Sequence, residues 1–152
     1  MAVEVETGRF TVGVFQDIAW AEKGVDALRN QGLAVESLSI LGRGSPEMAA
    51  FIERTLGVPQ IVEVHDLGEV MARGPLLSAL QGTDQGLAKT GIAGTMRRVG
   101  FQAHDGRIFH VLTGRGGVLV AIHSEPRAAD ALAVLHSYGG GNAAIGAWTG
   151  RV

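Results

Sequence analysis

The chain has 152 residues, 13 Lys and Arg against 15 Asp and Glu, and a net charge of −2. At about 150 residues per domain this is one domain, 1–152, large enough to bury a core without staples. The slight acidic balance argues against a general nucleic-acid binder, and the lack of cysteine removes disulfides, thiolate metal sites and cysteine nucleophiles. Glycine is abundant, 23 residues, about twice the usual share of roughly 7%.

The start, Met-Ala-Val-Glu-Val-Glu, has no basic segment followed by an apolar one, so a signal peptide is not expected. No run approaches the roughly 18 apolar residues of a membrane span. The expectation is a cytoplasmic protein with no membrane span.

Residues 10–15 read as a strand with Phe10, Val12 and Val14 on one face. Asp17 is placed to cap a helix whose inner stripe is Ile18, Ala21, Val25 and Leu28, and Gly32 suits the left-handed position that ends it. Residues 37–41 follow as a second strand. Ser45 and Pro46 open a short helix through Met48, Ile52 and Leu56, ended by Gly57 and Pro59. Residues 61–65 and 69–73 can pair as a hairpin around Asp66-Leu67-Gly68, and Gly74-Pro75 breaks the pattern. Thr83 or Asp84 is the expected cap of a helix with Ala88, Ile92, Met96 and Val99 on one side and Gly91 and Gly94 beside them. Interior glycines cost up to about 1 kcal/mol each against alanine, which a close approach of another element would explain.

A helix over about 103–113 leads into Gly114-Arg115-Gly116-Gly117, a tight turn. Residues 118–123 form a continuous apolar strand of the kind buried on both faces. Ser124 and Pro126 suit the start of a helix with Ala128, Leu132 and Leu135 inward, Gly139 to Gly141 stop it, and 143–148 is a last strand. The order strand-helix-strand thus occurs twice, over about 10–42 and 117–148, and Asp-Ala-Leu stands in both helices at 26–28 and 130–132. The expected fold class is α/β, an α+β sandwich of two strand-helix-strand units packed in a ferredoxin-like way, with a helical and hairpin middle section.

The order of short motifs resembles the general-stress, heat-induced stress protein domain of bacteria (the YflT type). The matching residues are Val12 to Asp17, Ala27-Leu28 with Gly32, Ile40-Leu41-Gly42, Gly74-Pro75-Leu76, Val99-Gly100-Phe101 and Arg115-Gly116-Gly117-Val118-Leu119-Val120. The resemblance implies a stress-linked, non-enzymatic accessory protein with no catalytic residues to carry over. Two departures stand out. Asp84, Gln85 and Lys89 interrupt the family's Gly/Ala run, so a membrane-associating role for it does not carry over. The helix before Arg115 lacks the family's glutamates and tyrosines.

The chemical constellations are sparse. None of His65, His104, His110, His123 and His136 pair at the i, i+4 spacing of helical zinc ligands, and His104 and His110 lie about 120° apart on a helix. His65, Asp66 and His104 are the weak metal candidates, and His123 ends the buried-looking strand. Arg43-Gly44-Ser45 lies between a strand and a helix, where helix amides, a hydroxyl and a guanidinium can hold an anion. It lacks the Walker lysine and the dinucleotide glycine spacing. No Gly-x-Ser-x-Gly elbow exists, and no acid, base and nucleophile meet in one motif, so neither catalytic residues nor a cofactor are expected.

Edge strands and the glycine side at Gly91 and Gly94 suggest a homo-oligomer. The expected function is a non-catalytic stress-response or accessory protein acting through self-association or a protein partner. The alternative is a sensor for a small anion, a nucleotide or a metal.

Overall fold

In the computed structural model the described residues are 8–123, 128–137 and 144–148. They form a three-layer α+β sandwich: one antiparallel sheet with helices on both faces. The expected helix start at Ser124 and Pro126 and the glycine stop at 139–141 lie outside the described residues.

The first unit follows its local grammar. Strand β1, Gly8–Phe15, sends Phe10, Val12 and Val14 to one side of the sheet and Phe15 to the other. Asp17 Oδ1 accepts the Trp20 N–H at 2.9 Å and so caps helix α1, Ile18–Asn30. Ala21, Val25 and Leu28 are buried, and Gly32 at φ +88° ends the helix as its position predicts. Strand β2, Leu38–Arg43, begins one residue later than expected, after a single 3₁₀ turn at Val35–Ser37. Helix α2, Pro46–Thr55, is capped by Ser45, whose Oγ accepts the Met48 N–H at 3.0 Å.

The hairpin forms as expected, from β3, Gln60–Val64, and β4, Gly68–Arg73, with Glu63 opposite Glu69. Asp66, at φ +70°, makes the turn. What the pattern did not reveal is α3, Pro75–Gln81. Gly74-Pro75 ends the strand, but the proline is also the first residue of this helix, where its missing N–H costs nothing. Ser39 Oγ on β2 takes the Leu76 N–H at 2.9 Å in a buried bond.

Helix α4, Gly86–Arg98, departs from its expected start. Neither Thr83 nor Asp84 caps it: the residue before it is Gln85, at φ +56°, and the Leu87 N–H is taken by Gln81 Oε1 at 3.1 Å. The Asp84 carboxylate is occupied by Arg98, whose Nη1 donates to Oδ1 at 3.0 Å. Arg98 Nη2 also donates to the Leu80 carbonyl, so one guanidinium ties the end of α4 to the turn before it. The helix breaks at Gly91, at φ +72° and ψ −167°. The break shifts the helical phase, so that Leu87 rather than Ala88 joins Ile92, Met96 and Val99 in the core.

Helix α5, Ala103–Gly114, leads through the Gly116 turn to β5, Val118–His123, which is buried on both faces. Helix α6, Ala128–Ser137, buries Ala131, Val134 and Leu135, with Leu132 half-buried. Strand β6 is Ala144–Trp148.

The sheet order is β3-β4-β2-β5-β1-β6. The four strands of the two strand-helix-strand units interleave, because β5 of the second sits between β1 and β2 of the first. The hairpin lengthens this sheet through the pairing of β4 with β2. Helices α1, α2 and α6 cover the face of Phe15, Ile40, Val120 and Ile122, while α3, α4 and α5 cover that of Phe10, Val12, Val70 and Leu119.

Two outcomes follow. Ser39→Ala leaves the buried Leu76 N–H without an acceptor, and urea unfolding should show a loss of about 1–3 kcal/mol. The hydrogen bond from Arg98 holds the Asp84 carboxyl below its usual range. A depressed folded-state pKa contributes stability above the unfolded value of about 3.9 and loses it as pH falls through the folded one. Asp84→Asn should therefore be less stable than wild type at pH 7, and the gap in urea midpoint should shrink below about pH 4.

Candidate functional site

The anion candidate Arg43-Gly44-Ser45 sits where β2 passes into α2, at the rim of a cavity of about 310 Å³. Its other wall includes Ile18 and the turn Gly116-Gly117. Arg43 Nη1 donates to the Gly114 carbonyl at 3.1 Å and fastens the two turns together. The glycine turn itself is the tight one expected: Gly116 is at φ +97° and the Gly117 N–H donates to the Leu112 carbonyl at 2.9 Å.

Several groups that could hold an anion there already have partners. The Gly44 N–H donates to the Glu69 carbonyl at 3.2 Å, and the Met48 N–H goes to Ser45 Oγ. Pro46 brings no N–H, and Glu47 adds a negative charge in the first turn of α2. The remaining N–H groups of Arg43 are the main cationic resource of this cavity.

Among the described residues the histidines do not assemble. His65 Nε2 lies 3.5 Å from Asp66 Oδ1, with both side chains exposed on the hairpin turn. Among the described residues no group of three His, Asp or Glu side chains is placed to hold a metal ion, so His104 on α5 does not complete a site with them. His123, at the end of β5, is half-buried and stacks on Phe10 across the strands, with ring centroids 4.4 Å apart.

Gly91 and Gly94 divide. Gly91 is buried, and a Cβ on it would stand 3.0 Å from the His65 carbonyl oxygen. Its positive φ and this close approach to the hairpin turn account for glycine there, and both are internal to the chain. Gly94 is half-buried beside the Thr90 side chain. The tight helix–helix approach is elsewhere, where a Cβ on Gly106 of α5 would meet the Ala93 carbonyl oxygen of α4 at 3.0 Å.

Among the described residues, one helix face that stands open is on α5. Its inward side carries Gly106, Phe109 and Thr113, with Phe109 set edge-on to Phe101 at 5.6 Å. Its outward side carries His104, Arg107, Ile108, Val111 and Leu112 around a shallow depression of about 320 Å³. The spacing i, i+3, i+4, i+7, i+8 makes these one stripe. Val111 is 40% exposed and Ile108 is half-buried, while half-buried Leu112 also packs against the core. Exposed Arg115 continues the stripe one turn further. Sequence reading missed this face because a helix apolar on both sides gives no clear sign of which side is inward.

Compared with family models, curated proteins and solved structures, the chain matches none. Among the described residues no helix is long and apolar enough to cross a membrane.

Proposed function

We propose that this chain is a non-catalytic accessory domain of the stress-response kind that acts by association, with further copies of itself in the first place, through the outward face of α5. The observation that carries this reading is the outward apolar pair Ile108 and Val111, flanked by Leu112, which itself packs on the core, on a helix whose other side is already buried. A helix apolar on both sides is normally covered on both sides. Arg107 and His104 border the stripe, which gives the polar rim that association faces carry. The interleaved strands of the two units support a ferredoxin-like core, and the resemblance to the general-stress domain supports the accessory role.

Light scattering coupled to size exclusion tests this. Wild type should elute above the 15.9 kDa monomer mass, and Val111→Glu, a change at an exposed position, should elute at it with its melting temperature retained. Wild type that stays monomeric at its highest soluble concentration overturns the reading.

A second reading rests on the joining of two distant glycine turns by Arg43 around one cavity: a sensor that holds a small anion there. Inorganic phosphate should then raise the melting temperature of wild type and not of Arg43→Ala. An equal rise in both removes the turn from the site.

A further inference from the structure

We infer that the counterpart of the α5 face is the open end of the sheet in a second copy of this chain, so that copies join head to tail. This rests on the association reading above and names the surface that α5 meets.

The open end is built from β3, β4 and the segment before them. Val58 and Ile61, at 68% and 62% exposure, are the two most exposed large apolar side chains among the described residues. Strand β3 is an edge strand. Val62 and Val64 point to the core beneath α4, so Ile61 and Glu63 point to the other face by the two-residue repeat. Arg73 Nε and Nη1 donate to the carbonyls of Leu56 and Val58 at 2.9 and 2.8 Å, which fixes the segment that presents Val58. At the far end, the His65 N–H donates to the Leu87 carbonyl at 2.9 Å, so α4 closes the edge only there.

Charge selects the partner. Glu63 and Glu69 face each other directly across the hairpin, and both are exposed. Like charges directly opposite on a sheet are destabilising. Neither carboxylate has an ion-pair partner among the described residues, and the exposed cation Arg73 stands at the other end of β4, on the carbonyls of Leu56 and Val58. The patch is therefore apolar, with two carboxylates at its turn end and one cation, Arg73, beside Val58. The α5 stripe is apolar with two exposed cations, Arg107 and Arg115, on its border against one half-buried carboxylate, Asp105. Two α5 faces laid together would oppose arginines, and two hairpin faces would oppose glutamates. One of each brings apolar against apolar and cation against carboxylate. The two patches lie on opposite faces of one sheet, so a single copy cannot satisfy itself. Such a contact is heterologous, and it closes into a ring or extends as a filament.

Two variants and their mixture test this by native mass spectrometry. Ile61→Lys places a cation where the arginines of the partner should arrive, and Val111→Glu places an anion where its glutamates should. Each alone should be monomeric at 15.9 kDa with an unchanged circular dichroism spectrum. Mixed, they should form a dimer, because one keeps an intact α5 face and the other an intact hairpin face. Two monomers that stay apart on mixing overturn the inference. So does Ile61→Lys assembling as wild type does while Val111→Glu is monomeric, although the association reading then stands. Val111→Glu assembling like wild type removes both. If Ile61→Lys does not fold, Val58→Lys makes the same test at the neighbouring exposed position.

Discussion

The rest of this structure depends on the burial of β5. Residues Val118 to Ile122 are almost wholly inaccessible, and the strand pairs with β1 on one side and β2 on the other. Val118, Val120 and Ile122 enter one helical layer while Leu119 and Ala121 enter the opposite one. A strand buried on both faces is stable only if both faces are covered and both edges are paired. That requirement places the first unit around the second. It also sets where the middle section must go: its hairpin prolongs the sheet and its helices supply the second cover.

Local chemistry explains why so much of the fold could be read directly. Asp17 and Ser45 each have an oxygen placed for the N–H of the third residue of the helix that follows, and the structure uses both. The hairpin around Asp66 is likewise a short-range matter of turn residues between two alternating runs. The units themselves follow from apolar spacing. Each of these features is decided within a few residues, which is the range over which sequence pattern carries its signal.

The remainder was decided over longer distances. Helix α3 has seven residues, too short for a periodic signal, and its first N–H, that of Leu76, is held by Ser39, 37 positions earlier in the chain. The start of α4 went to Gln85 because Arg98, at the other end of that helix, occupies the Asp84 carboxylate. The Arg43 turn was visible as a strand-to-helix turn, but nothing local indicated that Gly116-Gly117 would form the other wall of its cavity. Glycine was the most ambiguous signal. Gly91, which in the pattern stands with Gly94 on one helix side, proves to be a break in that helix beneath the hairpin turn.

Charge shows the same limit of composition in a form that bears on function. A net −2 describes a chain that is nearly neutral. The fold nevertheless gathers Glu63 and Glu69 at one end of the sheet and sets Arg107 and Arg115 along a helix on its other face. Separation of this kind leaves the net charge untouched and gives the molecule two unlike faces, each bordered by charges that repel a copy of themselves. Apolar side chains at the centre of such faces supply attraction without direction, and the charged borders supply direction with little net attraction. In the head-to-tail contact inferred above, this combination is what selects unlike faces over like ones, and it arises only once the hairpin has turned two glutamates toward each other.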